Sequence, residues 1–225
     1  MKRIFTTLSQ KWPEYLLEIL VIILGILLAL YVEEWNTDRK NDEKGREYLI
    51  LLQEDIKSDT TDLGTSIRYY QRRKDHLGSL VEILRTEPPL PMATVDSLFW
   101  NLYITINYVA NTETFQSMIS SGDLELITNQ SIKTGYYKLN KQYNITYKYY
   151  DNNYIQYLLD FLVRTRNYYS LDQRKFFDAS FVQSEAGIND IVGGYSLIAR
   201  YQNHLKESQK QAKNVLTLIQ DELKK

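Results

Sequence analysis

The sequence predicts an all-α protein in which one N-terminal transmembrane helix continues into a bundle of long helices. Three observations lead to this prediction. Only four prolines and nine glycines occur in 225 residues, so long stretches of chain are free to form helix. Apolar residues recur at alternating spacings of three and four, the period of a helix with one buried face. One apolar run near the N-terminus is long enough to cross a bilayer.

Residues 15–32 form this apolar run, and Glu18 is its only charged residue. The stretch from Leu16 to Val32 corresponds to about 26 Å of helix, close to the thickness of the hydrocarbon layer. No small-x-small cleavage motif follows it, which favours a retained anchor over a cleaved signal peptide or a buried core helix. Aromatic residues typical of the membrane interface flank it on both sides: Trp12, Tyr15, Tyr31 and Trp35.

The chain therefore divides into an N-terminal segment (1–14), a transmembrane helix (15–35) and a helical soluble domain (36–225). Three basic residues precede the apolar run and four follow it within a short distance. This small difference does not decide on which side of the membrane the soluble domain lies.

A heptad pattern follows the apolar run. Polar residues interrupt it at Asp59, Ser66 and Arg73. The pattern predicts coiled-coil-like packing of a long helix that ends before the proline-rich residues 86–91. The apolar positions are Leu49, Leu52, Ile56, Leu63, Tyr70, Leu77, Leu80 and Leu84.

Four further helices are predicted towards the C-terminus. Thr94 is expected to cap the first, which extends to Val109. The second spans residues 114–121 and ends at Gly122. Asn129 is expected to cap the third, which runs to about residue 168 and carries an aromatic stripe from Tyr136 to Phe161. A loop or bend at Gly187, Gly193 and Gly194 precedes the fourth, which carries apolar residues from Ile198 to Leu223.

Several motifs together resemble a known family. They include Glu18-Ile19, Gly25-Ile26 and Trp35-Asn36 in the apolar run, and the block SSGDLELITN at residues 120–129. The chain resembles an uncharacterised family of single-span, helical membrane proteins widespread in Bacteroidota. The resemblance implies a single-pass protein of the bacterial inner membrane, and it supplies no activity.

One face of the transmembrane helix combines an acid with small residues. Two interpretations stay open: a packed oligomer in which Glu18 caps a neighbouring helix, or a ring of Glu18 carboxylates lining a cation pathway. Both require self-association, and a tetramer or pentamer is expected. The face, which spans roughly 80° of the helix, consists of Glu18, Ile22, Gly25, Ala29 and Glu33.

The stretch after the apolar run is acidic. Residues 33–62 contain ten acidic and five basic residues. Such a run is typical of a solvated helix face, and around a symmetry axis it would concentrate cations at a pore mouth. Asp55, Asp59 and Asp62 share a face here, and the sequence favours exposure to solvent over a metal site.

Two basic clusters are interleaved with tyrosines. Cations beside aromatic rings can bind a nucleotide or single-stranded nucleic acid by phosphate pairing and base stacking. The alternative is a structural surface, because several of the tyrosines form a helical stripe typical of a core. The ligand candidates are Arg68, Arg72, Arg73 and Lys74 in one cluster, and Lys138, Lys141, Lys148 and Tyr149 in the other.

The sequence offers little for catalysis. It has no cysteine and only two histidines, which argues against disulfides, thiol chemistry and a histidine-rich metal site. Neither a phosphate-binding glycine loop nor a nucleophile elbow occurs. We therefore expect no enzymatic activity, no cofactor and no metal.

These observations support a homo-oligomeric membrane protein that conducts ions through a small pore gated by its helical domain. An anionic ligand would bias its open and closed packings. This is the logic of a membrane-depolarising effector such as those of antiphage defence, a comparison of class only. The alternative is a non-conducting scaffold or tether that holds an unknown envelope partner.

Overall fold

The computed structural model describes residues 2–86 and 89–225 of the chain. Helices dominate these residues, which confirms the predicted all-α class. The α-helices are α1 (Lys2–Leu84), α2 (Met92–Phe99), α3 (Glu113–Ser121), α4 (Gln130–Tyr149), α5 (Gln156–Thr165), α6 (Ser180–Gln183) and α7 (Glu185–Leu223). Short 3₁₀ turns lie at Trp100–Leu102 and Asp123–Leu126, and a π-helical segment at Tyr150–Ile155 joins α4 to α5.

The chain divides into two compact units, Met1–Tyr48 and Leu49–Lys225. The first unit is the N-terminal part of α1. Among the described residues, α1 is the one helix that is long and apolar enough to cross a membrane, and the most apolar window is not buried within the protein. Apart from Trp12, the side chains of the predicted N-terminal segment (1–14) lie outside the described residues.

The second unit is built around the heptad stripe of α1. All eight apolar heptad residues, from Leu49 to Leu84, are buried, and so are Asp59, Ser66 and Arg73. The stripe packs within the chain's own core, where α4 and α7 contact each other extensively. The predicted stripe of α7 is also buried from Ile198 to Ile219. The heptad residues thus have packing partners in the same chain. Coiled-coil packing between chains stays a prediction.

The third predicted helix is confirmed with one modification. The side chain of Asn129 caps α4, because its oxygen accepts a hydrogen bond from the backbone N–H of Ser131 at 3.0 Å. The predicted single helix is α4, the π-helical segment and α5, which ends at Thr165. Within its tyrosine stripe, Tyr147 is 51% exposed and so does not belong to the core.

The helix predicted from Thr94 to Val109 is wrong at both ends. Pro91 precedes α2 at the N-cap position, and no side chain caps the helix. The helix stops at Phe99, and after a 3₁₀ turn the chain is irregular up to Thr112. The short helix that follows ends as predicted, at Gly122 in the left-handed conformation with a φ of 78°. Glu87 and Pro88 of the predicted proline-rich break lie outside the described residues.

The loop predicted at three glycines is also wrong, because all three lie inside α7. Gly194 provides space for tight packing: a Cβ atom there would lie 2.7 Å from the hydroxyl oxygen of Tyr157 and 2.8 Å from a methyl of Leu102. A glycine inside a helix can thus mark close packing instead of a break. An antiparallel pair of two-residue strands, β1 (Tyr169–Ser170) and β2 (Lys175–Phe176), is the minor exception to the helical architecture in the described residues.

Candidate functional site

The segment 101–112, which begins in the 3₁₀ turn and is irregular after it, lies against α1 and is called the strap below. Its backbone is held by polar side chains of α1 instead of by helical hydrogen bonds. This explains why the apolar residues that predicted a helix here do not form one: their backbone groups have side-chain partners. The bonds run from Arg73 Nε to the carbonyl of Asn101 (2.8 Å), from Tyr70 Oη to the carbonyl of Ile106 (2.6 Å), and from the N–H of Asn111 to Asp59 Oδ1 (2.9 Å).

Asp59 is a fully buried carboxylate at the far end of the strap. Its Oδ1 also accepts a hydrogen bond from the side-chain amide of Asn111 (3.0 Å), and its Oδ2 accepts one from the hydroxyl of Tyr143 (2.7 Å). Burial raises the pKa of Asp59, and the negative charge of Asp55 adds to this, whereas the hydrogen bonds from Asn111 and Tyr143 oppose it. The prediction of a solvated face at Asp59 is therefore wrong.

Arg73 is buried at the opposite end of the strap. Its guanidinium donates to the carbonyl of Asn101 and, through Nη1, to the hydroxyl of Tyr154 at 2.9 Å. The guanidinium carbon also lies 5.5 to 5.8 Å from the ring centres of Tyr69, Tyr70 and Tyr154, within cation–π range. Arg73 is thus an internal strut, which corrects its prediction as a ligand-binding residue.

A cleft of about 210 Å³ opens between the strap, α3 and α4, and is called the strap cleft below. Three tyrosines line it: Tyr108 from the strap, and Tyr143 and Tyr147 from α4. The ring centres of Tyr108 and Tyr143 are 5.9 Å apart, with the rings tilted by 59°. The side chains of Gln116, Asn140 and Asn144 supply amide groups. Among the described residues, no charged side chain lines the cleft.

Tyr143 connects the strap cleft to the buried carboxylate. Its ring lines the cleft, and its hydroxyl donates to Asp59. Burial is the main cause that raises the pKa of Tyr143, with further contributions from Tyr108 and Asp59. The phenol therefore stays protonated and keeps donating its hydrogen bond to the carboxylate throughout the physiological pH range.

The remaining predicted ligand residues lie on two helices. Lys74 is half-buried and its Nζ donates to Gln202 of α7 at 3.3 Å, whereas Tyr149 is half-buried with its ring 4.7 Å from that of His204, also on α7. Both clusters thus contact α7, but no described contact joins a basic residue of one cluster to a basic residue of the other. The exposed members are Arg68, Arg72, Lys138, Lys141 and Lys148.

The face predicted on the apolar part of α1 is exposed in the single chain. All five of its residues, from Glu18 to Glu33, are exposed, and an added Cβ atom at Gly25 would meet no atom within 4 Å. The face is therefore free to approach a second helix. Its packing and any role in conduction stay predictions.

The sequence reasoning missed the role of the strap, but one signal was available. Asp59 and Arg73 occupy the same heptad line as Leu52 and Leu80, at seven-residue intervals. A charged residue on a line of buried residues must find polar partners, and here those partners are backbone groups of the strap. The identity of the partners could not be read from the spacing.

Together these features define, for the described residues, an all-α protein with one apolar helix long enough to span a membrane and a helical unit whose apolar core contains buried polar side chains bonded to the strap. A family model described as a family of unknown function (DUF6090) matches residues 18–199. The chain belongs to this family. Neither a curated protein nor a solved structure gives a significant match.

Proposed function

We propose that the protein is a non-conducting membrane scaffold, in which a single transmembrane helix anchors a helical binding unit to the bacterial inner membrane. The observation that carries the proposal is the burial of the α1 heptad stripe inside one chain. The heptads were the main reason to expect that the soluble unit assembles the transmembrane helices. A stripe covered by the chain's own helices offers no seam for that assembly.

The surface of the bundle supports a binding role. Exposed apolar or aromatic side chains remain on its elements, including Val109 at 74% exposure and Phe177 at 64%. Helix α4 also carries exposed lysines, which suit an acidic or anionic partner. A scaffold needs such a surface together with a stable interior, and the buried hydrogen-bonded core provides the interior.

Ion flux through the purified protein in liposomes tests this proposal. The wild type and Glu18→Gln should both leave the liposomes as tight as protein-free ones, while a pore-forming peptide in the same assay confirms detection. Protease protection verifies insertion. Flux that depends on Glu18 would overturn the scaffold proposal and support a pore.

A homo-oligomeric pore, a membrane effector of the kind used in antiphage defence, is the second candidate. It is favoured by one observation: Glu18, Gly25 and Ala29 are exposed on one helix face. Small residues spaced four apart allow close helix packing, and a charged residue at the hydrocarbon edge needs a polar partner. A tetramer or pentamer would place several Glu18 carboxylates around one axis.

Single-cysteine cross-linking tests this second candidate, since the natural chain has no cysteine. Gly25→Cys should form disulfide-linked dimers in membranes if the face packs against itself. Leu27→Cys is the matched control, because Leu27 lies about 160° round the helix from Gly25 and so on the opposite side from the predicted face. Equal cross-linking at both positions would show random collision and remove the specific face.

The basic residues of α4 could serve either candidate by holding an anionic ligand such as a nucleotide or single-stranded nucleic acid. Lys138, Lys141 and Lys148 are exposed and available for phosphate contacts. Changing Lys141 and Lys148 together to glutamate should abolish binding of a fluorescent single-stranded oligonucleotide. Unchanged binding would remove this ligand site.

A further inference from the structure

The strap cleft combines aromatic rings, acceptor groups and a nearby buried negative charge. We propose that it binds a small organic cation, such as the quaternary ammonium group of choline. The proposal goes beyond the scaffold function and does not depend on it. It concerns Tyr108, Tyr143 and Tyr147 with Asp59 behind them.

Three tyrosines supply aromatic rings to the cleft. A cation above an aromatic face is attracted by the negative face of the ring, and several rings around one cleft bind quaternary ammonium groups well. Tyr108 and Tyr143 are almost completely buried, with tilted rings, and so give the cleft a rigid wall. Tyr147 is half exposed at its mouth. The volume of about 210 Å³ suits a small head group.

Asp59 supplies a buried carboxylate behind the cleft. No described lysine or arginine lies within ion-pair distance of its buried carboxylate, whose partners are Asn111 and Tyr143. A buried charge without a counter-charge is costly, so a cation bound nearby would lower the energy of the site. The Tyr143 hydroxyl lies 2.7 Å from Asp59 Oδ2, so the charge acts directly behind the cleft wall.

The charge distribution on α4 argues against an anion in the same place. The α4 residues that line the cleft, Asn140, Tyr143, Asn144 and Tyr147, share one helix face. Lys141 lies about 100° round the helix from Asn140 and about 60° from Asn144, beyond the edge of this face. The carbonyl oxygens of the side-chain amides can accept contacts from a cation, whereas an anion would meet Asp59 without a neutralising side chain.

Titration of the full-length protein with tetramethylammonium and with choline tests the proposal. The matched ligand is 3,3-dimethylbutan-1-ol, which has the shape of choline without its charge. We expect saturable binding of both cations by calorimetry, and binding of the neutral alcohol at least about tenfold weaker, as charge recognition requires. Equal binding of the alcohol and choline, or no saturable binding of either cation, would overturn the proposal.

Two variants locate the site. Tyr147→Leu should weaken choline binding by about threefold to thirtyfold, the range expected for one cation–π contact. Tyr137→Leu is the matched control, because both tyrosines belong to α4 and are 51% exposed, but only Tyr147 lines the cleft. Asp59→Asn should weaken choline binding more than it weakens binding of the alcohol, because only choline is attracted by the charge that is removed. Equal effects of the two tyrosine variants would contradict the assigned site.

The cation can be free in solution or belong to a lipid head group. Nanodiscs of phosphatidylglycerol and of phosphatidylcholine distinguish the two sources. Equal choline affinity in both supports a soluble ligand, whereas competition in the phosphatidylcholine nanodiscs supports a lipid head group. Choline that fails to bind in either kind of nanodisc would contradict the proposal.

Discussion

Two segments of helix α1 bury their apolar residues in different ways. From Tyr15 to Val32 the apolar side chains occur all round the helix, and each of them is exposed in the protein. From Leu49 to Leu84 they form a single stripe that is buried by the rest of the chain. A helix apolar on every side needs an apolar environment, and one with a stripe needs one packed neighbour.

The comparison shows that the pattern of apolar residues predicts the kind of partner better than the length of a helix does. The first segment fits a bilayer, and the second has its partner in the same chain. The second segment also carries charged residues inside its stripe, at Asp59 and Arg73. In the hydrocarbon layer of a bilayer, a charged side chain on the first segment would need a polar partner. Four predictions sharpen or break this contrast.

The largest expected effect is the loss of a buried apolar side chain from the second segment. Leu63 is fully buried, so Leu63→Ala should lower the free energy of unfolding of the bundle by about 2 to 5 kcal/mol. Leu24→Ala in the first segment is the control, and it should leave the bundle unchanged because Leu24 is exposed there. Urea denaturation followed by tyrosine circular dichroism measures both. Equal destabilisation by the two variants would break the contrast.

The next effect concerns the strut at Arg73. Arg73→Met keeps much of the side-chain length but leaves the Asn101 carbonyl and the Tyr154 hydroxyl without their donor. It should cost about 1 to 3 kcal/mol in the same denaturation assay. Arg72→Met at the exposed neighbouring position should change stability by less than about 0.5 kcal/mol. A neutral Arg73→Met would mean that the strap does not depend on this residue.

Two neighbouring glycines inside α7 should respond to alanine with opposite changes in stability. Gly194→Ala should destabilise the bundle by about 1 to 3 kcal/mol, because its Cβ atom would overlap Tyr157 and Leu102. At Gly193 the nearest atom to a Cβ would be 3.7 Å away, so Gly193→Ala should stabilise the helix by up to about 1 kcal/mol. Thermal unfolding of both variants tests this. Stabilisation at both positions would refute the close packing.

The smallest effect is a pH dependence. Because the folded-state pKa of Asp59 is raised, Asp59 binds a proton at a higher pH in the folded protein than in the unfolded chain. The resulting stabilisation is complete below the ordinary aspartate pKa and is lost as pH rises through the raised pKa. The wild type should therefore gain more stability than Asp59→Asn as pH falls from neutral towards 4. Parallel pH profiles would contradict the assigned shift.

Much of the fold follows from the sequence, because periodicity records which residues face a core. The heptad stripe, the Asn129 cap and the Gly122 stop could all be predicted, since each depends on local spacing or local backbone chemistry. The strap could not, because its backbone is bonded to side chains about 30 to 50 positions away in the sequence. The glycines of α7 were misinterpreted for the same reason: their neighbours are distant in the chain.

The candidate site depends on the same long-range contacts. Asp59 could be recognised as buried from its place in the heptads, but Tyr108 belongs to the strap and Tyr143 to α4. Nothing in the spacing of these residues predicts that they share a cleft. The basic clusters can be recognised in the sequence. Only the structure shows that Arg73 is buried, whereas the lysines of α4 are exposed.

Thiol accessibility in the full-length protein tests most directly whether the heptad stripe is closed within one chain. Ser66→Cys and Ser58→Cys are the same change on α1, at a buried and an exposed position, in a chain without natural cysteine. Maleimide should label the cysteine at position 58 rapidly and the one at position 66 slowly, at every protein concentration. Protection at position 66 that disappears on dilution to the monomer would show an interchain seam and contradict the account.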